Sequence, residues 1–468
     1  MKRTDQHKEF IRFGFSFVIL LALAAIWAYF WIQHYAETVL RDVPFGYRGN
    51  GLIFAVYAIL QLAFNNFYGG YRIGYYRPGY VIYSGVLALI MCNAITYLQT
   101  SLIGARIADV WPFIIMTIVQ IGVIWLWVKI AHAFYIKRFP PQSLLMVYGG
   151  NELASSLLLK MLSYPENYTV KNYIDIDKGI EAVYQMVLQS DGVILCDIPA
   201  KQRNRLLKFC FEQSIRTYTT PKISDILMRG ATEIDLFDTP LLFGHNTGLN
   251  LGQRFFKRLT DIIISGFALI AAAPFMLVIA IVIRLCDGGP VFFRQERCTI
   301  GSKIFKVCKF RSMIVDAEKD GKSRPAIDKD PRITPVGRIL RATRMDELPQ
   351  LWNILRGDMS IVGPRAERIE HVEKYTQSMP EFAYRLKVKA GLTGLAQTVG
   401  RYNTTPYDKL KLDLMYITTY SLFLDFKLML MTVKVLFLPE STQGFAQDAK
   451  ETIPASKSDL SEIDSSQG

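Results

Sequence analysis

The chain is 468 residues long, 51% of them apolar and only 20% charged, with a mean hydropathy of +0.19 and a formal net charge of +13. The length excludes a small disulfide-stapled module and suits about three domains of roughly 150 residues. The apolar excess implicates lipid, while the excess of Lys and Arg suits anionic headgroups, phosphorylated substrates or nucleic acid without choosing among them. The cysteines (Cys92, Cys196, Cys210, Cys286, Cys298, Cys308) form no CxxC pair and have no His at metal-ligand spacing, so they are expected to be reduced and buried.

Four apolar runs fill the first third: Phe13 to Ile32, Gly51 to Phe64 with its flanks, Val81 to Ile103, and Trp111 to Tyr135. All but the second reach the roughly 20 residues needed to cross a bilayer. The first has no small-residue cleavage site and reads as an anchor. Lys2, Arg3, Lys8 and Arg12 precede it, Arg72 and Arg77 follow the second run, and Lys137 and Arg138 follow the fourth. The opposite loops hold only Arg41, Arg48 and Arg106. The positive-inside rule therefore predicts a cytoplasmic N-terminus and a cytoplasmic chain after Arg138. No charge sits in mid-span, which gives little support to a transport path.

A short-looped α/β segment is expected over 140–250. β-rich runs at Leu144 to Tyr148, Val193 to Asp197 and Arg216 to Tyr218 alternate with helix-like stretches, the pattern of a parallel sheet. Gly149 and Gly150 follow the first strand without completing a nucleotide fingerprint, so they read as a plain tight turn.

A fifth apolar run, Ile262 to Ile283, carries Pro274 at its centre. Arg254, Lys257 and Arg258 precede it and Arg284, Arg294 and Arg297 follow it. Both flanks carry the cytoplasmic signature, which a single crossing cannot satisfy, so the expectation is a helix broken at Pro274 that enters the inner leaflet and returns.

Chemistry concentrates after this run. From Arg294 to Arg365 there are 16 Lys and Arg against 9 Asp and Glu, a net +7. The charges are interleaved with Lys309-Phe-Arg-Ser-Met313, Asp330-Pro-Arg-Ile-Thr334, Gly357-Asp-Met-Ser360 and Val362-Gly-Pro-Arg365. Gly and Pro beside Arg suit a bulky anion, because backbone approaches closely and guanidinium forks hold phosphate oxygens. Asp346-Glu347-Leu-Pro-Gln350 leads into Leu351, Trp352, Ile354 and Leu355 at helical spacing. Pro349 suits a first turn, which places Asp346 near an N-cap, where the helix dipole would keep it ionised. Plain capping is the bland alternative. Glu347 points about 100° away, so one carboxylate could attack while the other holds a metal.

From about Phe256 to Phe437 these residues resemble the bacterial sugar transferases, the monotopic phosphoglycosyl transferases in their large, multi-spanning form. The resemblance rests on Lys257-Arg258 with Asp261, the proline-bearing apolar helix, Gly289-Pro290, Gln295 and Arg297, and the motifs above. It extends through Gly391-Leu-Thr-Gly394 and Tyr416 to Asp425. Ala273, Ala366 and Ala390 depart from the family pattern, the last two standing where prolines are usual, and Thr299 and Gly301-Ser302 alter a glycine-containing turn. The expected organisation is four transmembrane helices (1–139), a Rossmann-like α/β domain (140–250), and, as the resemblance implies, an α/β monotopic catalytic domain (251–439) with a re-entrant helix (262–283); after Glu440 the Ser, Asp, Glu and Lys content with few hydrophobes predicts a disordered tail (440–468). The resemblance implies that Asp346 attacks the β-phosphate of a UDP-sugar, releasing UMP, and that polyprenyl (undecaprenyl) phosphate resolves the aspartyl-phosphosugar. Mg²⁺ on Glu347 and a clamp of Lys309, Arg311 and Arg365 would offset the charge. The expected site is the inner face of a bacterial cytoplasmic membrane, among its lipids, in exopolysaccharide, capsule or O-antigen assembly; a homo-oligomer is compatible. Leu422 to Leu438, interrupted by Asp425, Lys427 and Lys434, suits an interfacial helix. Sugar identity is not readable, although Gly391 to Arg401 is a candidate contributor.

Other classes fit less well. A membrane-anchored nucleotide-sugar dehydratase would need a complete glycine fingerprint beside a Tyr-x-x-x-Lys such as Tyr407 and Lys411. A non-catalytic scaffold would not need the intact acidic pair, and no nucleic-acid motif accompanies the basic segment.

Overall fold

A computed structural model describes residues 3–36, 47–162, 168–236, 238–244, 247–315, 317, 330–400 and 404–436. The expected disordered tail and part of the basic segment lie outside them. The chain divides into two compact units that meet in sequence at Thr220 and Pro221.

The first unit begins with four long helices: α1 (Arg3–Phe30), which continues as a π-helical turn at Trp31–Tyr35, α2 (Tyr47–Tyr68), α3 (Pro78–Ile103) and α4 (Val110–Arg138). Each contains a stretch long and apolar enough to cross a bilayer. A polar cluster links all four. Gln120 donates to the Leu23 carbonyl (3.1 Å) and the Tyr57 hydroxyl (2.9 Å), and Asn93 donates to Gln120 Oε1 (2.9 Å) and Thr117 (2.8 Å). Apolar surface gives little drive for association in lipid, so such bonds help to fix helix partners.

An α/β domain follows: β1 (Gln142–Tyr148), α5 (Asn151–Leu162), β2 (Tyr168–Asp175), α6 (Ile180–Leu188), β3 (Gly192–Cys196), α7 (Ala200–Glu212) and β4 (Arg216–Thr219). Its sheet is parallel, in the order β2-β1-β3-β4. The sequence reading named three of these strands and missed β2, whose Lys171, Asn172 and Tyr173 weaken the apolar signal of an outer strand. Strand alternation sends Leu145, Val147, Val193 and Leu195 toward α6 and α7, and Leu144, Met146, Ile194 and Cys196 toward α5. Gly149 is needed for close approach: a Cβ there would meet the Asp197 carbonyl at 2.7 Å.

The second unit opens with α8 (Ile223–Arg229) and a hairpin of β5 (Thr232–Leu236) and β6 (Thr239–Phe243). Ile226 and Leu249 are buried in this unit's core. Next comes α9 (Leu251–Asp287), started by a reciprocal cap in which Asn250 accepts from the Gln253 N–H and Gln253 accepts from the Asn250 N–H. The expected break at Pro274 is absent. The chain remains helical through it, because one missing donor does not end a helix whose two halves are packed on either side.

The remaining elements are the antiparallel pair β7 (Phe292–Cys298) and β8 (Ile304–Phe310), then α10 (Pro335–Ala342), α11 (Gln350–Arg356) and β9 (Ser360–Val362). After them come α12 (Ile369–Ser378), β10 (Gly391–Thr393, parallel to β9), α13 (Leu395–Val399), α14 (Pro406–Thr418) and α15 (Leu422–Leu436). Lys257 near the start of α9 pairs with Asp425 of α15 at 2.7 Å. Arg258 donates to the Ile354 and Leu355 carbonyls in the last turn of α11 at 2.6 and 2.7 Å. Asp261 accepts from the Ser360 hydroxyl and the Ile361 N–H, both at 3.0 Å. At the other end Ile283 packs with Phe310 and Leu340. Of the three charges that interrupt the last apolar run, Asp425 and Lys434 are buried in protein, so an amphipathic reading of that helix counts them on the wrong face.

Candidate active site

Strand alternation puts Lys309 of β8 on the same face as the core residues Phe305 and Val307. Its Nζ meets Glu347 Oε1 at 2.7 Å. Arg365 lies beyond β9 and Gly363-Pro364, and its Nη2 approaches the same oxygen at 3.6 Å. Glycine is required where this loop meets β10, since a Cβ on Gly391 would collide with the Gly363 backbone.

Asp346 and Glu347 sit in a 3₁₀ turn, Met345–Glu347, entered through Arg344 in the left-handed region at φ 58°. A bulky residue held there stores strain of the kind often found at active sites. Asp346 is 8% exposed and its Oδ1 has no hydrogen-bond partner in the protein. The capping expectation is corrected here. α11 begins at Gln350, so Asp346 does not cap it. Burial also raises the Asp346 carboxyl above the usual range against the pull of Lys309, with Glu347 adding to the rise; desolvation outweighs any helix-dipole effect. Burial would raise Glu347 too, but Lys309 and Arg365 bring it down to about 2.

Lys309, Glu347, Gln350, Arg365, Arg297 and Gln397 line one open pocket of about 310 Å³. Arg311, expected in the phosphate clamp, is placed elsewhere: it is buried, and its Nε donates to the Pro290 carbonyl at 2.7 Å. The strand alternation that turns Lys309 to the pocket does not bring Arg311 into its lining. Among the described residues no group of three or more His, Cys, Asp and Glu is disposed to hold a metal. The Glu347 carboxylate does suit Mg²⁺, which takes one or two carboxylates and completes its shell with water and substrate phosphates. Both cations reach Glu347 through Oε1.

Sequence reasoning missed a buried support behind Arg365. The Arg385 guanidinium, 3% exposed, donates to the Arg365 carbonyl at 2.9 Å, pairs with Asp413 at 2.8 Å and lies 3.7 Å from Glu367. Burial raises Asp413 to about 6 even with Arg385 beside it. Nothing local in the sequence pairs 385 with 413; only a buried Arg's need for acceptors hints at it.

Two departures from the family pattern prove to be partners. The Ala390 N–H, which a proline would lack, donates to Thr299 Oγ1 at 3.1 Å, and the same hydroxyl donates to the Asp358 carbonyl at 3.1 Å. Thr299→Val should cost about 1–3 kcal/mol by leaving a buried N–H unpaired. Adding Ala390→Pro, which removes that donor, should recover much of the loss. Denaturant melts of the single and double variants check this; strictly additive losses would disprove the coupling.

Residues 252–439 match the family model described as "Bacterial sugar transferase". The chain is 37% identical over 267 residues to a Klebsiella pneumoniae protein named UDP-glucose:undecaprenyl-phosphate glucose-1-phosphate transferase, covering 56% of each. It is 39% identical over 243 residues to an Aeromonas hydrophila UDP-N-acetylgalactosamine-undecaprenyl-phosphate N-acetylgalactosaminephosphotransferase, covering 51% of this chain and 56% of the relative. The matches to these two thus span about half the length of each relative. A Rhizobium leguminosarum bv. phaseoli exopolysaccharide production protein, PSS, is 40% identical over 196 residues, which is 40% of this chain and 96% of the relative. With the motif-bearing pocket in place and a relative matched over nearly its whole length, the chain belongs to the bacterial sugar transferase family.

Proposed function

We propose that this protein transfers a sugar 1-phosphate from a UDP-sugar to polyprenyl (undecaprenyl) phosphate at the inner face of a bacterial cytoplasmic membrane. The observation that carries the reading is the buried Asp346, with one carboxylate oxygen unpartnered, beside a Glu347 answered by Lys309 and Arg365.

An Asp346 oxygen attacks the β-phosphorus of the UDP-sugar. The bond from that phosphorus to the bridging oxygen breaks, and UMP leaves with the electron pair. The polyprenyl phosphate oxygen then attacks the aspartyl-phosphosugar and restores the carboxylate. The approach of a carboxylate to a diphosphate is opposed by repulsion of about 1 kcal/mol per unit pair at 4 Å in water and more in a drier site. Lys309, with its side chain 21% exposed, and Arg365, 44% exposed, line the pocket and are placed to offset it. Glu347 together with the substrate phosphates would hold Mg²⁺, whose chemistry when bound is neutralisation of phosphate charge.

The packing of α9 supports access to lipid. Lys257 and Asp261 near one end and Ile283 near the other all pack on the same unit. A helix crossing a hydrocarbon core of about 30 Å would carry its ends to opposite sides. Phe267, Ile270, Phe275, Leu277 and Val278 are exposed along its middle and suit insertion into a single leaflet. The first four helices, read with the positive-inside rule, would anchor the site at that surface. A part in exopolysaccharide production is the role that the name of the Rhizobium relative supports.

UMP release from a panel of UDP-sugars, with polyprenyl phosphate and Mg²⁺, tests reaction and sugar together. At least one sugar should release UMP, chelation should stop it and Mg²⁺ should restore it. An inert panel disproves the transfer reaction, and turnover that survives chelation disproves the metal assignment.

A further inference from the structure

The pocket carries buried polar atoms that the transfer chemistry leaves unused. Gln397 on α13 donates from Nε2 to the Leu392 carbonyl at 3.0 Å, which fixes the orientation of its amide. Its Oε1 is buried and has no partner in the protein. Gln350, the first residue of α11, is 5% exposed, and its Nε2 is likewise buried without a partner. Both residues line the pocket that holds Lys309, Glu347 and Arg365.

An acceptor and a donor left unpaired on two residues that line one pocket specify different ligand atoms. The ionised phosphates of a nucleotide sugar carry no protons at neutral pH and only accept hydrogen bonds, and Lys309 and Arg365 already supply donors for them. A phosphate cannot satisfy Gln397 Oε1. That atom needs an O–H or N–H, which in a UDP-sugar belongs to the sugar, the ribose or the uracil. Gln350 Nε2 can serve the acceptor side of the same kind of group, since a hydroxyl both donates and accepts.

We propose that Gln397, complemented by Gln350, is a specificity-determining residue that accepts a hydrogen bond from a hydroxyl or amide N–H of the nucleotide sugar. This rests on the transfer reaction proposed above and narrows the stretch from Gly391 onward to one side chain. A site built to bond a substrate hydrogen rejects analogues lacking it far more strongly than an apolar pocket rejects a small change of shape.

The test compares the full-length membrane-embedded protein with its Gln397→Leu variant. Substrates are the UDP-sugar that wild type turns over best, its single-deoxy sugar forms, the 2′-deoxyuridine form and the N3-methyluracil form. Gln397→Leu should lower kcat/KM for the parent on the order of 10²-fold. For the one analogue that lacks the partner hydrogen, wild type and variant should coincide, and that analogue identifies sugar, ribose or base as the group read. A parent kcat/KM unchanged within about twofold, or one equal loss on every analogue, overturns the proposal. Gln397→Met keeps the chain length and replaces Gln397→Leu if the latter fails to fold. Affinities of the same analogues for Asp346→Asn protein, with and without Gln397→Leu, give the pattern without turnover. An inert wild type therefore condemns the reaction, while flat affinities condemn the role of Gln397.

Discussion

Asp346→Asn should abolish transfer, by about 10⁴-fold or more, while the protein folds as before. The amide fills the same space but cannot form the acyl-phosphate bond. Stability should hold or rise. Burial raises the Asp346 pKa, so the folded state favours the protonated form, and the stability linked to it is lost as pH rises through the folded pKa. At neutral pH the native carboxylate is a cost that Asn removes. For the same reason acidification should abolish wild-type activity at a higher pH than an ordinary carboxylate would, because attack needs the ionised form. UMP release and thermal melts of membrane-embedded protein check both halves. Appreciable turnover by Asp346→Asn, or a marked loss of melting temperature, would contradict the nucleophile assignment.

Arg385→Met should destabilise the second unit by about 3–5 kcal/mol, since it strands Asp413 in the interior and withdraws a donor from the Arg365 carbonyl. Replacing both partners, Arg385→Met with Asp413→Leu, should restore much of the stability, because an apolar pair of similar volume often matches a buried ion pair. Activity should not return with it, as the Arg365 loop still lacks its donor. Urea melts paired with kcat/KM separate the two effects. Recovery of activity in the double variant would reduce Arg385 to a packing residue.

Local chemistry was legible wherever neighbours in sequence are neighbours in space. The apolar runs predicted α1 to α4 and α9, because bilayer thickness and helix rise set the length of apolar chain that marks such a helix. Asp346-Glu347 and Lys309 could be picked out because Gly, Pro and charge recur there at close spacing. Two local inferences failed when the surroundings outweighed them. Pro274 did not end α9, whose flanking turns are held by packing on both sides. Asp346 did not cap α11, and its pKa is raised by a desolvation that depends on chain remote in sequence.

The sequence by itself determined the membrane-spanning lengths, the parallel α/β segment, the basic field around an acidic pair and the membership of a sugar transferase family. Only the tertiary structure decided that Arg365 shares Glu347 with Lys309 while Arg311 turns to Pro290, and that Arg385 and Asp413 brace the Arg365 loop. It also paired Thr299 with Ala390 and brought Gln397 to the pocket. The physical reason is range. Periodicity, capping and backbone propensity act over a few residues, whereas burial and hydrogen-bond satisfaction depend on which distant segments the fold packs together.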